Sequence, residues 1–319
     1  MHVLVPGGSG FLGRAICAAL IQSGERVTVL SRKPERVRSR TSAGIDVLQW
    51  DPARANQGGP LLERLPTVDA IINLAGENVA GHGWLPARWS PERKAAIRAS
   101  RIQATRSIVQ ALAAAPPERR PPILINASAV GYYGDRGDEV LTELSPSGAD
   151  YFSDLCRDWE AAAVAGEQLG VRVVCVRTGV VLERGAMAAD LLILASRLGA
   201  GGRLGSGRQW WSWIHRADVV GLMVHALHTD TVRGPLNLVA PNPRRMEDFP
   251  RVLGALLHRP SLLPAPAWAL RLVFGELANA LLLSSQRVLP VRAQETGYTF
   301  QYARLEDALS AISGTQWAD

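Results

Sequence analysis

The chain is expected to fold as an α/β protein: a doubly wound parallel sheet followed by a small, mostly helical C-terminal lobe. Three observations carry that expectation. Short apolar, β-branched runs alternate with stretches whose apolar residues recur at helical spacing. The first run stops in a glycine-rich turn that opens directly into a helix. The polar and glycine-bearing residues that look functional fall at the carboxyl ends of the runs, where ligands bind in sheets of this kind.

Residues 3–13 read VLVPGGSGFLG, and RAICAALIQSG follows as a helix. Gly7, Gly10 and Gly13 stand at G-x-x-G-x-x-G. Gly7 lets the chain turn sharply, Gly10 lets the backbone approach a pyrophosphate, and Gly13 lets the helix lie against the sheet. The helix start at Phe11 and Leu12 supplies N–H donors and a positive dipole end. Strand before and helix after are the context that makes this a dinucleotide turn. Gly24 closes the helix, and Arg26–Leu30 forms a second strand ending in Ser31-Arg32-Lys33. No acid stands there to hold a ribose 2′-OH. A hydroxyl and two cations suit a 2′-phosphate, which favours NADP over NAD.

Ile45–Gln49 reads as a third strand, with Trp50-Asp51 where an adenine would sit. Ala70–Leu74 is a fourth, running into the turn Leu74-Ala75-Gly76 after Asn73. A long helix starts near Ser90, with Pro91 in its first turn and Glu92 behind it. Ile123–Asn126 opens a fifth strand that leads into ASAVGYYG, residues 127–134. A helix over Phe152–Leu169 and a sixth strand at Arg172–Val176 follow, and another helix runs from His215 to Ala226. Right-handed crossovers join such units into a parallel sheet.

Composition narrows the function classes. The 319 residues suffice for a sizeable core, and the net charge is +6. The arginines are spread along the chain and the only lysines are Lys33 and Lys94. With no basic run interleaved with aromatics, nucleic acid is not an expected partner. The three cysteines, Cys17, Cys156 and Cys175, show neither metal spacing nor an even number for a disulfide framework, so no metal is expected. The chain opens directly on a strand, which predicts no leader peptide and a cytoplasmic setting. The most apolar stretch, 262–283, is broken by Pro264, Pro266, Arg271 and Glu276 and is expected as a packed helix, not a membrane span. A small-molecule ligand is the expected partner, and a homodimer is compatible with the sequence.

These residues resemble an extended short-chain dehydrogenase/reductase of the epimerase/dehydratase superfamily, and within it the SDR39U-type epimerases that end in a DUF1731 segment. The resemblance is carried by Gly7–Gly13, Ser31-Arg32, NLAGEN (Asn73–Asn78), Ser100-Arg101, Ser128–Gly134, Trp159-Glu160 and Arg177–Leu182. GSGRQWWSWIHRADV (Gly205–Val219) and the tail over residues 263–309 complete it. It implies an NADP-binding Rossmann domain over residues 1–240, with 183–214 contributing to a substrate lobe that 241–319 completes. By position it places Ser31, Arg32, Leu74, Ala75, Gly76, Arg101 and Val181 along the cofactor, and it implies an oxidoreductase or epimerase acting on a small carbonyl or sugar-like substrate.

The expected machinery of that superfamily is incomplete. Its Tyr-x-x-x-Lys pair has no counterpart, because no lysine follows Lys94. Counting back from Glu160, Phe152 stands for the tyrosine and Cys156 for the lysine. Tyr151 is adjacent but lies about 100° away around a helix. Ser128 falls, to within one residue, where the superfamily's serine binds the substrate oxygen. Tyr132 and Tyr133 follow it as candidate phenols, with aromatic packing as the alternative. Cys156 is a candidate acid or nucleophile, or simply a small buried hydrophobe. Glu77 is a candidate ribose contact or base, or a helix cap. Trp210, Trp211 and His215, in QWWSWIH, offer stacking faces and an imidazole to a ring-shaped ligand, unless His215 and Asp218 only cap the next helix. The glycines between 199 and 207 read as a mobile loop that could close over a substrate. The missing pair keeps a second class open: a non-catalytic NADP-binding regulator or redox sensor, for instance one tied to cell division.

Overall fold

The computed structural model describes residues 1–38, 44–53, 59–81, 87–261 and 263–314. The first half alternates as the pattern predicts: β1 (His2–Pro6), α1 (Phe11–Gln22), β2 (Arg26–Ser31), α2 (Pro34–Arg38), β3 (Ile45–Gln49), α3 (Gly59–Arg64), β4 (Ala70–Asn73), α4 (Pro91–Ala114) and β5 (Ile123–Ala129). A short β6 (Val140–Leu141) precedes α5 (Tyr151–Val164) and β7 (Arg172–Thr178). Then come β8 (Val180–Leu182), α6 (Met187–Arg197), β9 (Trp210–Trp211), β10 (Trp213–His215), α7 (Arg216–His228) and β11 (Gly234–Leu238).

Seven strands form one sheet in the order β11-β7-β5-β4-β1-β2-β3, every pairing parallel. Alternate residues feed two cores. Val3, Val5, Val27, Val29, Ile72, Ile125 and Val174 pack on the face covered by α1 and α7. Leu4, Leu30, Ile71, Leu124 and Val173 pack on the face covered by α3, α4 and α5. This two-sided burial explains why the strands read as continuous apolar runs, and each fully buried Leu or Ile contributes roughly 1.5–3 kcal/mol. β11 (GPLNL) is a seventh strand that pattern alone does not flag, because Gly and Pro open it and Asn237 interrupts it. Trp50 belongs to the second core at 4% exposure rather than standing open at the strand end.

Helix starts follow their capping chemistry. Ser90 Oγ accepts from the Arg93 N–H at α4, with Pro91 as first residue, and Asp150 accepts from the Ser153 N–H at α5.

The remainder comprises β12 (Arg244–Arg245), α8 (Asp248–Leu257), α9 (Ala267–Phe274), β13 (Arg287–Val288), α10 (Val291–Glu295) and α11 (Leu305–Ser313). Of these, α8 and α11 join β8, α6, Trp211 and Trp213 in a third, smaller core around Phe249, Leu253 and Leu309. The segment 298–302 is tied back to α7: the buried Asp218 carboxylate accepts from Tyr298 Oη (3.0 Å), Gln301 N (2.8 Å) and Tyr302 N (2.9 Å).

Two expectations are corrected here. Residues 263–283 (Leu262 lies outside the described residues) are not one helix. α9 stops at Gly275, whose φ of +61° suits glycine, and a π-helical turn follows at Ala278–Leu283. The 199–207 loop is tied down rather than hanging free. Gly205 N donates to Ala265 O (2.8 Å) and Ala265 N to Arg203 O (3.0 Å), and Leu204 pairs with Ala265 in a parallel bridge. Among the described residues no helix is long and apolar enough to cross a membrane.

Candidate cofactor and active-site cleft

The turn after β1 shows three different uses of glycine. Gly7 has φ +80°, and a Cβ there would lie 2.6 Å from the Leu74 carbonyl, so only glycine lets the end of β4 pass this closely. A Cβ on Gly13 would sit 2.5 Å from Gly7 O and 2.6 Å from Gly8 Cα, which seats α1 directly on the turn. Gly10 is different: its φ of −72° is ordinary, and a Cβ would meet only Gly7 O at 3.2 Å. The space beyond it is open. Gly10 caps α1 without a side-chain bond, so the N–H groups of Phe11, Leu12 and Gly13 face that space as unspent donors at the positive helix end. A diphosphate fits there.

The sheet order sets the rest of the ligand's course. β2 and β3 lie on one side of the turn and β4, β5 and β7 on the other, so a dinucleotide would put its adenosine half over β2–β3 and its nicotinamide half over β4–β5. At the β2 end Ser31 Oγ accepts from Lys33 N (3.1 Å). Arg32 is exposed, with no partner among the described residues. On the other side, Asn73 Oδ1 holds the Ala75 N–H (3.2 Å), while its amide donates to Asn126 (2.7 Å) and Thr105 (3.1 Å). Thus Leu74 and Ala75 are set in place by a buried network that also takes in Trp159 Nε1 (3.0 Å to Thr105). Arg101 is 9% exposed and lies beside Gly76, over the Trp159 ring at 5.1 Å. Burial holds it below the usual arginine range, and no carboxylate pairs with it among the described residues. A bound anion would relieve that buried charge. Val181 is half-buried against the first core, paired with Ile214 across β8 and β10.

The α5 face toward β5 carries Phe152, Cys156 and Glu160, one turn apart. Phe152 lies on Gly131, where any Cβ would be 2.0 Å from its ring. The Cys156 thiol is 1% exposed and is pushed up to about 12 by burial, which removes it as a thiolate nucleophile at neutral pH. Ser128 Oγ donates to Glu160 Oε1 (2.6 Å), so its hydroxyl turns into the protein. Arg177 holds Glu160 with two bonds (Nε 2.9 Å, Nη2 2.8 Å) and donates through Nη1 to Tyr133 Oη (2.9 Å). Burial alone would lower the Arg177 pKa, but the bonds and charge of Glu160 hold it above the ordinary value. Glu160, Arg177 and Asn237 form a network that sequence reasoning did not assemble. Neither charge stands out in the sequence, since α5 also carries Asp154, Arg157 and Asp158 and β7 also carries Arg172.

The two tyrosines separate. Tyr133 is fully buried, its hydroxyl donating to Asn237 Oδ1 (2.7 Å), and burial pushes it up to about 12. A phenol so enclosed cannot reach a ligand, which departs from its expected role. Tyr132 is half-buried, its ring centroid 3.5 Å from Arg177 Cζ, and its hydroxyl has no partner among the described residues. Tyr151 turns off the α5 face shared by Phe152, Cys156 and Glu160 and toward Trp89, donating to Lys94 O (2.7 Å). Glu77 caps no helix; its carboxylate lies 3.7 Å from Arg93.

The tryptophan segment also departs from its expected role. Two guanidiniums, Arg245 and Arg287, each lie 4.6 Å from the Trp210 ring centroid, and its Nε1 donates to Asp138 (2.6 Å). Trp211 is 4% exposed, edge-on to Phe249 at 5.3 Å. His215 caps α7, Nδ1 accepting from Ala217 N (3.2 Å), and stacks on Tyr302 at 3.8 Å. Trp210 is thus half-buried among arginines and Trp211 is packed in the third core. A trough of about 550 Å³ lies between α1 and α7, bordered by Glu183, His215 and Arg216.

Comparison with known proteins agrees with this architecture. The model of the NAD dependent epimerase/dehydratase family matches residues 3–238, and that of the domain of unknown function DUF1731 matches 265–312. An SDR39U1 homolog of Arabidopsis thaliana, described as chloroplastic, is 39% identical over 318 residues, covering 98% of this chain and 86% of the relative. Human epimerase family protein SDR39U1 is 38% identical over 314 residues, covering 98% and 99%. The crystal structure of its isoform 2 with NADPH superposes with a TM-score of 0.85 at 36% identity, covering 98% of this chain and 99% of that one. A nucleoside-diphosphate sugar epimerase from Corynebacterium glutamicum gives 0.76 at 33% identity, covering all of this chain and 59% of the other. Sheet order, glycine turn and tail thus coincide with one set of relatives along nearly the whole length, and the chain belongs to the NAD-dependent epimerase/dehydratase family, in its DUF1731-bearing form.

Proposed function

We propose that the protein binds NADP(H) and serves as a reductase of small carbonyl compounds, with Tyr132 delivering the proton. The observation that carries this is the Tyr132 ring on the Arg177 guanidinium, its hydroxyl unengaged, at the carboxyl end of β5. The Arg177 guanidinium holds the ring in place, which leaves the hydroxyl free to donate a proton. Bound NADPH would supply the hydride to the carbonyl carbon. Tyr132 protonates the carbonyl oxygen and regains its proton from water, so an alcohol and NADP+ leave. Arg32 and Ser31 support the choice of NADP, as does the human relative crystallised with NADPH.

The test is titration with NADPH and NADH, followed by a pH–rate profile of carbonyl reduction. Arg32→Ala is expected to lose NADPH affinity about 10- to 150-fold, the equivalent of one charge-assisted contact of roughly 1.5–3 kcal/mol, with little change for NADH. Tyr132→Phe is expected to lose turnover while keeping NADPH affinity. Equal NADPH and NADH affinity in the parent, or full activity in Tyr132→Phe, refutes the assignment.

A second reading has its own support. Phe152 and Cys156 fill the α5 positions of the usual acid/base pair, which favours a non-catalytic NADP(H)-responsive protein. Tight NADPH binding without turnover of any carbonyl substrate selects it.

A further inference from the structure

We infer that the cleft takes an apolar ligand, an aliphatic or aryl aldehyde or ketone, and not a nucleoside-diphosphate sugar; the carbonyl in this assignment rests on the reductase reading above. The wall next to the nicotinamide half of the cofactor path is the evidence. Val79 follows β4, Ala129 ends β5, Tyr151 begins α5, and Phe274, Ala280 and Leu281 reach in from the C-terminal lobe. All six are half-buried around one apolar cluster. Behind them Trp89, Phe152 and Leu277 close the cluster, with the Trp89 ring 5.6 Å from Tyr151 and 5.8 Å from Phe152.

Apart from the Tyr132 hydroxyl, the polar side chains at the ends of β4 and β5 are engaged elsewhere. Ser128 donates to Glu160, and the Asn73 amide to Asn126 and Thr105. The cations that could hold a second diphosphate are matched: Lys94 pairs with Glu276, Arg93 with Glu77, and Arg177 with Glu160. Arg88, exposed beside Gly275, has no carboxylate partner among the described residues, and neither has Arg101, which the cofactor path takes up. Sugar hydroxyls entering this wall would lose water without gaining partners, whereas methylenes gain at every step. One buried CH₂ corresponds to roughly a fourfold gain in affinity.

The experiment uses the NADPH-loaded full chain. Unreactive 1-alkanols from butanol to octanol and UDP-glucose are titrated calorimetrically, and the matching aldehydes are assayed by NADPH absorbance. Affinity is expected to rise about two- to fourfold per methylene until the cleft is filled, with UDP-glucose silent at millimolar concentration. Phe274→Gln is expected to flatten the chain-length dependence and leave NADPH affinity unchanged. UDP-glucose binding, or alkanol affinity independent of length, overturns the ligand class while leaving the cofactor reading intact. Length-dependent alkanol binding with no aldehyde turnover does the reverse: the apolar ligand stands and the reductase falls. Failure to bind NADPH at all overturns the reading on which both rest.

Discussion

Replacing Arg177 by Met keeps much of its volume and removes its charge, which makes it a clean probe of the network beneath the cleft. The guanidinium is 3% exposed and makes two bonds to Glu160, one to Tyr133 Oη and one to Glu143 O (3.3 Å). Without it the Glu160 carboxylate keeps only the Ser128 donor. Breaking one side of a buried pair costs about 3–5 kcal/mol, because the other charge stays behind in low dielectric. That is a large part of a typical 5–15 kcal/mol total. At roughly 2 °C per kcal/mol for a large domain, the midpoint of thermal unfolding is expected to fall by about 6–10 °C. Scanning calorimetry of Arg177→Met, Glu160→Leu and the double variant gives the coupling directly. The double variant is expected to recover most of the loss, since an apolar pair of similar volume avoids the desolvation of both ions. A single variant that melts within 2 °C of the parent, or a double variant worse than the sum of the singles, refutes the network as drawn.

Gly10→Val is expected to abolish NADPH binding with little change in the melting midpoint, because its Cβ would project into the open space above the turn. Gly13→Ala is expected to lower stability by about 1–3 kcal/mol as well as cofactor affinity, since its Cβ meets backbone at 2.5 Å; calorimetry beside NADPH titration separates the two. Burial holds His215 below the usual histidine range, and its Nδ1 must be unprotonated to accept the Ala217 N–H. Its share of stability is therefore full above about pH 6.5 and lost as pH falls through the lower folded value. The midpoint of His215→Asn, which keeps a cap, is expected to fall less than the parent's between pH 7.5 and 5, with the part owed to the similarly depressed His225 remaining. His215→Ala is expected to lose about 1 kcal/mol at pH 7.5 in denaturant unfolding.

What was legible in the sequence is what short-range rules decide. The strands at Ile45–Gln49 and Arg26–Leu30, the Ser90-Pro91 helix start and the three glycines each announce themselves through neighbours a few residues away. The shared α5 face of Phe152, Cys156 and Glu160 was equally legible, because it is a spacing along one helix. Trp210 was not. An indole looks the same whether it stands free or among other side chains, and the arginines beside it come from strands 35 and 77 residues further on. Nor could spacing tell Tyr132 from Tyr133, since the difference lies in whether the ring lands on Arg177 or the hydroxyl under β11. The break at Gly275 was hidden for the opposite reason: apolar composition continues through it while the backbone turns.

The tie between Asp218 and the segment 298–302 fixes an order in the making of this protein. The partners of that carboxylate stand 80, 83 and 84 residues after it. At about 5–20 residues per second, a ribosome needs roughly 4–17 s to go from one to the other. During that interval the last strand of the large sheet has been synthesised, yet α7 cannot seat without burying an unanswered charge. Premature termination before Tyr298 therefore leaves the Asp218 carboxylate inside the fold without any of these three donors.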